Sequence, residues 1–369
     1  MPAKKSTSKK VAKSASLKGR STKAASVRFS IGRLKPAKAQ EIKLGYFGQA
    51  YKFSAARRTD LIHPRKAIPK TPIGPKVLDI LPTRAMSFEE HVPMAALRAA
   101  LGAPMTPNDT ITLVKSVQLN DVATADTASH VCEPSVAING NVVFYTGNWF
   151  AAVSTDGGTT FKYVDPYKAF PNPPGMGFCC DQVVHYIKSI DTFIWSLQYT
   201  QDASGKNIQR VAYATTARVK AGSWRFFDLT PASLGLAAGI WLDFPDLATG
   251  QNMLYLTTNC FQRNVWKASA VVRIKLSSFT SGTLSASRSV STAHFSLRVT
   301  QNCGTTAYFA AHDSNSSLRV FSWKESSATP TSNIVAVASW SAGPYSSTTP
   351  DGRNWLQRAD PREWPWLDL

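Results

Sequence analysis

From Ile111 onward, the chain is a succession of short apolar segments separated by Gly, Asn, Asp or Ser. Segments such as NVVFYTG, FIWSLQYT and AVVRIKL are seven or eight residues long, and β-branched and aromatic residues dominate them. Runs of this length and composition predict strands, because helices need longer uninterrupted periods. We therefore predict an all-β fold for this part of the chain.

A longer repeat groups the predicted strands. The stretch EPSVAINGNVVFYTGN, which starts at Glu133, resembles FPDLATGQNMLYLTTN, which starts at Phe244, and looser copies start at Cys180 and Ser296. Corresponding positions in the four copies are 47, 64 and 51 residues apart. Four antiparallel strands at such intervals predict β-propeller blades, whereas a sandwich would show evenly spaced strands without a longer repeat. We predict a β-propeller of five or six four-stranded blades over residues 105–369.

Three segments precede the predicted propeller. Residues 1–40 are rich in Lys, Ser and Ala and hold too few apolar side chains to offset the entropy of ordering, so we expect a disordered basic arm. Residues 41–85 contain five prolines and predict an extended linker. Ser87 and Glu90 have the spacing of a capping box, which predicts a short helix within residues 86–104.

The positive charge is concentrated at the start of the chain. The net charge is +19, and residues 1–76 hold 20 Lys and Arg side chains against two acids. The remaining residues hold 22 basic and 21 acidic side chains and are nearly neutral. A dense block of like charge attracts polyanions such as nucleic acid through counterion release. A solvated tail without a partner and an organellar transit peptide are the alternative interpretations.

The sequence shows no run of 18 apolar residues and no secretory h-region after the basic start. We expect no membrane span and no Sec signal, a cytoplasmic location by default, and a monomer. The five cysteines are scattered and form no CxxC pair, so we expect no disulfide framework, no metal and no cofactor. The adjacent Cys179 and Cys180 admit a vicinal disulfide, a reactive thiol or a metal ligand. Because neighbours in a strand point to opposite faces, we expect one to be buried and one exposed.

The segment STDGGTTF, residues 154–161, lies between the predicted third and fourth strands of one blade. A tight turn is expected, since Asp156 can accept hydrogen bonds from turn amides, Gly158 can adopt a positive φ and Phe161 can pack on neighbouring strands. The segment resembles the Asp box, S-x-D-x-G-x-T-W, of sialidase-like (BNR-repeat) propellers, and its surroundings resemble uncharacterised bacterial and fungal members. The resemblance implies a propeller fold. It also implies that five residues have a structural role on the outer rim, away from any catalytic site: Ser154, Asp156, Gly158, Thr160 and Phe161.

A sialidase would have three arginines that bind the carboxylate of the substrate, a Tyr–Glu nucleophile pair and an Asp that acts as the general acid. The first of those arginines normally belongs to an Arg-Ile-Pro motif near the first blade. Here the only Arg-Ile is Arg273-Ile274, late in the chain and inside a predicted strand. We therefore expect no cleavage of sialic acid.

The first strands of propeller blades begin near the central channel, so polar residues there can converge. The candidate catalytic carboxylates are Glu133, Asp181 and Asp246, since a glycosidase needs two carboxylates at one bond. The candidate ligand-binding residues are His130, Asp243 and Arg298. We expect a non-catalytic module that binds a glycan or protein on the channel face. The alternatives are a glycoside hydrolase with a carboxylate pair at the channel, and a polyanion-associated protein acting through residues 1–76.

A tryptophan occurs roughly once in each predicted blade. These side chains either form a sugar-stacking surface or pack between sheets. The set comprises Trp149, Trp195, Trp241 and Trp266.

Overall fold

The computed structural model describes residues 29–46, 133–263 and 265–339. These residues form antiparallel sheets with three short helices, which confirms the all-β prediction for this part of the chain. The helices are α1 (Pro166–Ala169), α2 (Thr216–Ala221) and α3 (Ser277–Ser281). The helix predicted within residues 86–104 and residues 1–28 of the predicted arm lie outside the described residues.

Eighteen strands are described, and sixteen of them form four consecutive sheets. Two strands come first: β1 (Ser30–Arg33) and β2 (Gln40–Lys43). Sheet 1 consists of β3 (Ser135–Asn139), β4 (Val142–Thr146), β5 (Ala151–Ser154) and β6 (Lys162–Val164). Sheet 2 consists of β7 (Phe178–Ile187), β8 (Thr192–Tyr199), β9 (Gln209–Thr215) and β10 (Ser223–Leu229).

The last two sheets follow the same plan. Sheet 3 consists of β11 (Ile240–Thr249), β12 (Met253–Gln262), β13 (Val265–Lys275) and β14 (Ala286–Ser291). Sheet 4 consists of β15 (Arg298–Val299), β16 (Thr306–Ser314), β17 (Ser317–Lys324) and β18 (Thr331–Ala336). In every sheet each strand pairs with the next along the chain, which is the antiparallel unit inferred from the repeat.

The first strands of successive sheets lie side by side. Strand β7 contacts β3 and β11, and β15 contacts β11 and β12. The four sheets therefore follow one another with their first strands together, as blades do around a propeller axis. The number of blades, five or six, and the closure of a ring stay predictions.

Apolar cores lie between successive sheets. Between sheets 1 and 2, the rings of Phe144, Trp195 and Trp224 contact one another, with centroid separations of 5.0 to 5.5 Å. Side chains alternate between the two faces of a strand, and these three point into the space between the two sheets. Complete burial of an aromatic side chain such as these stabilises the fold by about 1.5–3 kcal/mol.

Residues 29–46, which we call the strap, differ from the predicted arm and linker. Strand β1 pairs with β14 at the outer edge of sheet 3, and β2 pairs with β10 at the outer edge of sheet 2. Leu34 and Leu44 are buried, each 5% exposed. The expectation of disorder up to residue 40 and of a linker from residue 41 is corrected for this segment. The composition of this segment predicts no ordered structure. The segment is ordered because it pairs with the unpaired backbone groups of two sheet edges and buries two leucines.

A buried cation lies inside sheet 2. Arg210 and Asp228 are directly opposite on β9 and β10, and the guanidinium donates to both carboxylate oxygens at 2.7 and 2.8 Å. Arg210 also donates to the Tyr199 hydroxyl at 2.6 Å and lies over the Phe226 ring at 4.1 Å. The Arg210 side chain is only 2% exposed. Its buried charge is tolerated because the carboxylate, the hydroxyl and the ring occupy the guanidinium.

The segment STDGGTTF forms the turn between β5 and β6. The amide and hydroxyl of Thr160 donate to Asp156 at 2.9 and 2.6 Å, and the Ser154 hydroxyl donates to it at 2.7 Å. Gly158 has a φ of 87°, the region that favours glycine. The Gly157 amide donates to the Asn141 carbonyl at 2.9 Å, so the turn lies beside the β3–β4 turn. It is therefore at the opposite end of sheet 1 from Glu133.

Replacing the buried cation tests the Arg210–Asp228 pair. In Arg210→Met the Asp228 carboxylate loses its partner, and we expect the free energy of unfolding in urea to fall by about 3 kcal/mol. This is the lower end of the usual range because the Asp228 side chain is 22% exposed. The double variant Arg210→Met/Asp228→Asn should recover part of the loss, and Arg33→Met, at an exposed position, serves as the control. A loss below about 0.5 kcal/mol in Arg210→Met would contradict this role.

The turn gives a pH-dependent prediction. Hydrogen bonds from Thr160, followed by those from Ser154, hold the pKa of Asp156 far below its usual range. A carboxyl whose pKa is lowered by folding stabilises the protein above about pH 4, and that stabilisation is lost on further acidification. We expect Asp156→Ala to lower Tm at pH 7 and this difference to shrink as the pH falls below about 4. Thr160→Val should cause part of the same decrease at pH 7. A Tm difference that does not change down to pH 2 would exclude the carboxylate as its source.

Candidate functional site

The first strands of sheets 2 and 3 are irregular where the candidate residues lie. The pairing of β7 with β8 shifts between Phe178 and Gln182, and the pairing of β11 with β12 shifts between Asp243 and Asp246. Such bulges bend a strand and redirect its side chains, and they are common beside functional sites. The irregular pairing lies at the start of β7 and in the middle of β11, and the candidate residues of both strands lie within it.

The bulge in β11 sets the positions of two carboxylates. Asp243 is opposite Asn259 and Asp246 is opposite Thr257, so three steps on β11 match two steps on β12. In a regular strand, residues three apart project from opposite faces. The extra residue brings Asp243 and Asp246 to the same side of the strand.

Arg298, at the start of β15, holds the bulge in place. Its guanidinium lies 3.8 Å over the Phe244 ring and donates to the Phe244 carbonyl at 3.2 Å. The same nitrogen donates to the Thr257 hydroxyl at 3.1 Å. Phe244 has a φ of 53°, an unfavourable backbone region for a bulky residue. A cation–π contact and a carbonyl hydrogen bond to one residue offset this cost.

Three carboxylates act on the Arg298 cation. Burial lowers the pKa of the Arg298 guanidinium, and the charges of Asp246, Asp181 and Asp243 oppose this by raising it. Asp243 is fully buried and accepts a hydrogen bond from the Gln198 amide at 2.8 Å, whereas Asp181 and Asp246 are half-buried. The structure thus brings four of the six sequence-predicted candidates into one electrostatic cluster from β7, β11 and β15.

The remaining two candidates have different outcomes. Glu133 accepts a hydrogen bond from the Asn148 amide of sheet 1 at 2.7 Å. The side-chain amide of Gln182, next to Asp181 in β7, donates to the Asn148 backbone carbonyl at 3.3 Å, which links Glu133 to the cluster through two residues, Asn148 and Gln182. His130 lies outside the described residues.

Other residues at the site escaped the sequence analysis. His185 follows Asp181 by four positions in β7; burial lowers its pKa and the charge of Asp246 opposes this, so the imidazole is neutral at pH 7. Phe244 is the second such residue, and the sequence contains a feature that could have indicated it. Pro245 directly follows it within a strand, and proline inside a strand indicates an edge or a bulge.

Cys179 and Cys180 form a disulfide in the irregular part of β7. Both are buried, which makes the expectation of one buried and one exposed cysteine wrong. The alternation of faces on which that expectation depended does not hold where the strand leaves its regular pairing with β8. The Gln198 amide approaches Cys180 Sγ at 3.9 Å and also bonds Asp243, so the pair is part of the buried support of the cluster.

Arg273, the arginine of the only Arg-Ile dipeptide, has a structural environment. It lies in β13 with its guanidinium 4.2 Å over the Trp323 ring. It donates to the carbonyls of Lys324 and Ser327 at 3.1 and 2.7 Å. These contacts join sheets 3 and 4, and they use the guanidinium for packing.

The part of the chain that the structure describes bears on metal binding, membrane crossing and the recurring tryptophans. No group of three or more His, Cys, Asp or Glu side chains there is arranged to hold a metal ion. Among the described helices, none has the length and apolar character needed to cross a membrane. Trp195, Trp241 and Trp266 are buried, at 0%, 3% and 5% exposed, which assigns them to packing and not to a sugar-stacking surface.

Comparisons with known proteins give weak structural likenesses. No protein-family model and no curated protein matches the sequence. An exo-β-1,3-galactanase from Phanerochaete chrysosporium, solved with β-1,3-galactotriose, is 12% identical with a TM-score of 0.35, over 58% of this chain and 51% of that one. An engineered GH43 glycoside hydrolase with endo-xylanase and exo-arabinofuranosidase activity is 14% identical with a TM-score of 0.25, over 60% and 45%.

The chain therefore spans about half the length of the structures it matches. Likenesses of this strength carry no argument about its activity. The resemblance of STDGGTTF to the Asp box of sialidase-like propellers stays a prediction.

Substitution of Arg298 tests the cluster. Arg298→Met removes the cation on which the charges of Asp181, Asp243 and Asp246 act, together with both contacts to Phe244. We expect the free energy of unfolding to fall by about 2 kcal/mol, since two half-buried carboxylates and the fully buried Asp243 lose a compensating cation. Arg298→Lys should recover only part of this, because an ammonium lacks the planar face with which the guanidinium stacks on the Phe244 ring while its N–H groups donate. Full recovery by lysine in urea titrations would show that charge alone matters.

Proposed function

We propose that this protein is a non-catalytic module that binds a neutral glycan at the cluster formed by Asp181, Asp246 and Arg298. The observation that carries the proposal is that two half-buried carboxylates, in the irregular parts of the neighbouring strands β7 and β11, both act on the Arg298 cation. Ligand sites in such folds favour clefts with a few fixed polar groups. Ionised carboxylates accept hydrogen bonds only, and sugar hydroxyls are the donors that they suit.

The support for the carboxylates favours binding of one defined ligand. Asp243, the fully buried member of the cluster, accepts a hydrogen bond from the fully buried Gln198, and Phe244 is fixed by two contacts with Arg298. Groups held by buried hydrogen bonds lose little freedom when a ligand arrives, and this lowers the cost of binding. The two carboxylates would thus contact the ligand while the residues behind them keep their positions.

The arginines argue against a sialidase. Arg298 is occupied by the Phe244 carbonyl, the Phe244 ring and Thr257, and Arg273 is occupied by carbonyls and a ring of sheet 4. A guanidinium engaged in this way offers little to a carboxylate of a substrate. A neutral sugar, recognised by hydroxyl groups, suits the cluster better than sialic acid.

The test starts with the full chain on a glycan array that carries neutral and acidic oligosaccharides, followed by calorimetry with the strongest binder. We expect Asp246→Asn and Asp181→Asn each to weaken binding about 10- to 100-fold, because each loses a charged hydrogen-bond acceptor. The matched control is Glu325→Gln, the same chemical change at a residue that bonds Asn252 in the β11–β12 turn, the other end of the strands. Its affinity should stay within twofold of wild type.

Several outcomes would contradict the proposal. The location is wrong if binding survives both aspartate substitutions, or if Glu325→Gln weakens it equally. Preference for sialylated over neutral glycans would overturn the ligand class. Release of reducing sugar from the bound oligosaccharide, lost in Asp246→Asn, would show a glycoside hydrolase in place of a binding module.

A further inference from the structure

We propose that the outer edge of sheets 2 and 3 binds duplex nucleic acid through its phosphate backbone. We call this surface the cationic edge: the strap, residues 29–46, together with the basic side chains of β10, α2 and β14 that lie against it. The inference does not depend on the glycan site, which is formed by the first strands of the sheets. The cationic edge lies on their last strands.

The strap supplies the first cations. Arg33 lies in β1, Lys43 lies in β2, and Lys35 and Lys38 lie in the connection between them. All four side chains are exposed. They are spread over eleven consecutive residues, which span at most about 35 Å when extended.

The sheets supply further cations at the same edge, although the sequence beyond residue 76 is nearly neutral. Arg288 of β14 crosses the strap at Gly32 and donates to the Ser30 carbonyl at 3.2 Å. Arg225 of β10 is opposite Glu41 of β2. Lys220 of α2 is exposed.

The helix α2 is fixed to the strap at this point. The Tyr46 hydroxyl donates to the Val219 carbonyl at 2.6 Å, and the Leu44 amide donates to the Gly222 carbonyl at 2.6 Å. Lys220 therefore lies beside the end of the strap. Tertiary structure thus gathers basic side chains that are far apart in the sequence.

One carboxylate in the strap opposes these charges. Glu41 forms ion pairs with Arg218 at 2.7 Å and with Arg225 at 3.1 Å. The guanidinium of Arg218, and then that of Arg225, lowers the pKa of Glu41. The exposed Asp191, which accepts a hydrogen bond from the Thr216 hydroxyl of α2, is a second acid beside the edge. Since the strap and the side chains described against it provide eight cations, the edge keeps a positive charge at pH 7.

Backbone hydrogen bonds fix the cations before any partner arrives. The Leu34 amide donates to the Ala286 carbonyl at 3.0 Å, and the Ala39 amide donates to the Gly282 carbonyl at 2.9 Å. Strands β1 and β2 add ladder hydrogen bonds on both sides of this connection. A row of cations on an ordered backbone loses less entropy on binding than the same cations on a flexible tail.

The chemistry of the edge favours a nucleic acid over a membrane. The strap leucines, Leu34 and Leu44, are buried against the sheets, so the edge lacks the exposed apolar anchor that holds a protein on a lipid surface. A duplex carries one negative charge per about 1.7 Å of axis, which supplies phosphates along the whole length of the strap.

The experiment measures duplex DNA and duplex RNA binding to the full chain by fluorescence anisotropy between 50 and 200 mM salt. The test variant is Lys35→Gln/Lys38→Gln/Lys43→Gln. Loss of three phosphate contacts should reduce the slope of log affinity against log salt by about 2.7. Over this salt range the wild type should therefore lose about 40-fold more affinity than the variant.

The control removes the same charge elsewhere. Lys162→Gln/Lys188→Gln/Lys324→Gln replaces three exposed lysines of sheets 1, 2 and 4 that are outside the cationic edge. This variant should keep the wild-type salt slope within about 0.5. Equal Tm values for the two triple variants show that both keep the fold.

Three results would overturn the proposal. Equal slopes for the strap variant and the wild type would exclude the strap as the contact surface. Equal losses in both triple variants would show that net charge alone causes binding. Tighter binding of heparin than of either duplex at matched salt would assign the edge to sulfated glycans.

Discussion

Neighbouring sheets are aligned by buried amide side chains that bond the backbone of the next sheet. The Gln182 amide donates to the Gly147 carbonyl of sheet 1, and Asn207 both donates to the Leu242 carbonyl and accepts from the Leu242 amide of sheet 3. Gln301 donates to the Leu247 carbonyl across the boundary of sheets 3 and 4. Apolar contacts are not directional, so these bonds decide how each sheet is positioned on its neighbour. The order of the first strands, and with it the candidate site, follows from this alignment.

The candidate site depends on the same positioning. Arg298 reaches from sheet 4 to the bulge of sheet 3, and Gln198 of sheet 2 bonds the buried Asp243 from the other side. The left-handed backbone of Phe244 persists because two sheets hold it. The carboxylates are thus placed by contacts between sheets, and a change in any one interface would alter the site.

The outer edges of the sheets pose a different problem, which the strap solves for two of them. Open strand edges present unpaired backbone groups, and β1 and β2 cover those of sheets 3 and 2. The cost of ordering the strap is offset by ladder hydrogen bonds, two buried leucines and the ion pairs of Glu41. A segment with a basic and polar composition becomes part of the fold, and its charges become a surface with a defined shape.

The sequence by itself determined the strands, their grouping in fours and the turn at STDGGTTF, because alternation, repeats and turn residues act over short distances. It also singled out Asp181, Asp246 and Arg298 as candidates, which lie at the fourth position of β7, the seventh of β11 and the first of β15. Only the tertiary structure decided that both aspartates act on the Arg298 cation, because this depends on how strands of three different sheets lie beside one another. The sequence admitted the Cys179–Cys180 disulfide as one alternative, but the burial of both cysteines and the order of the strap were beyond it. Burial and edge pairing depend on residues up to 258 positions away, as between Ser30 and Arg288.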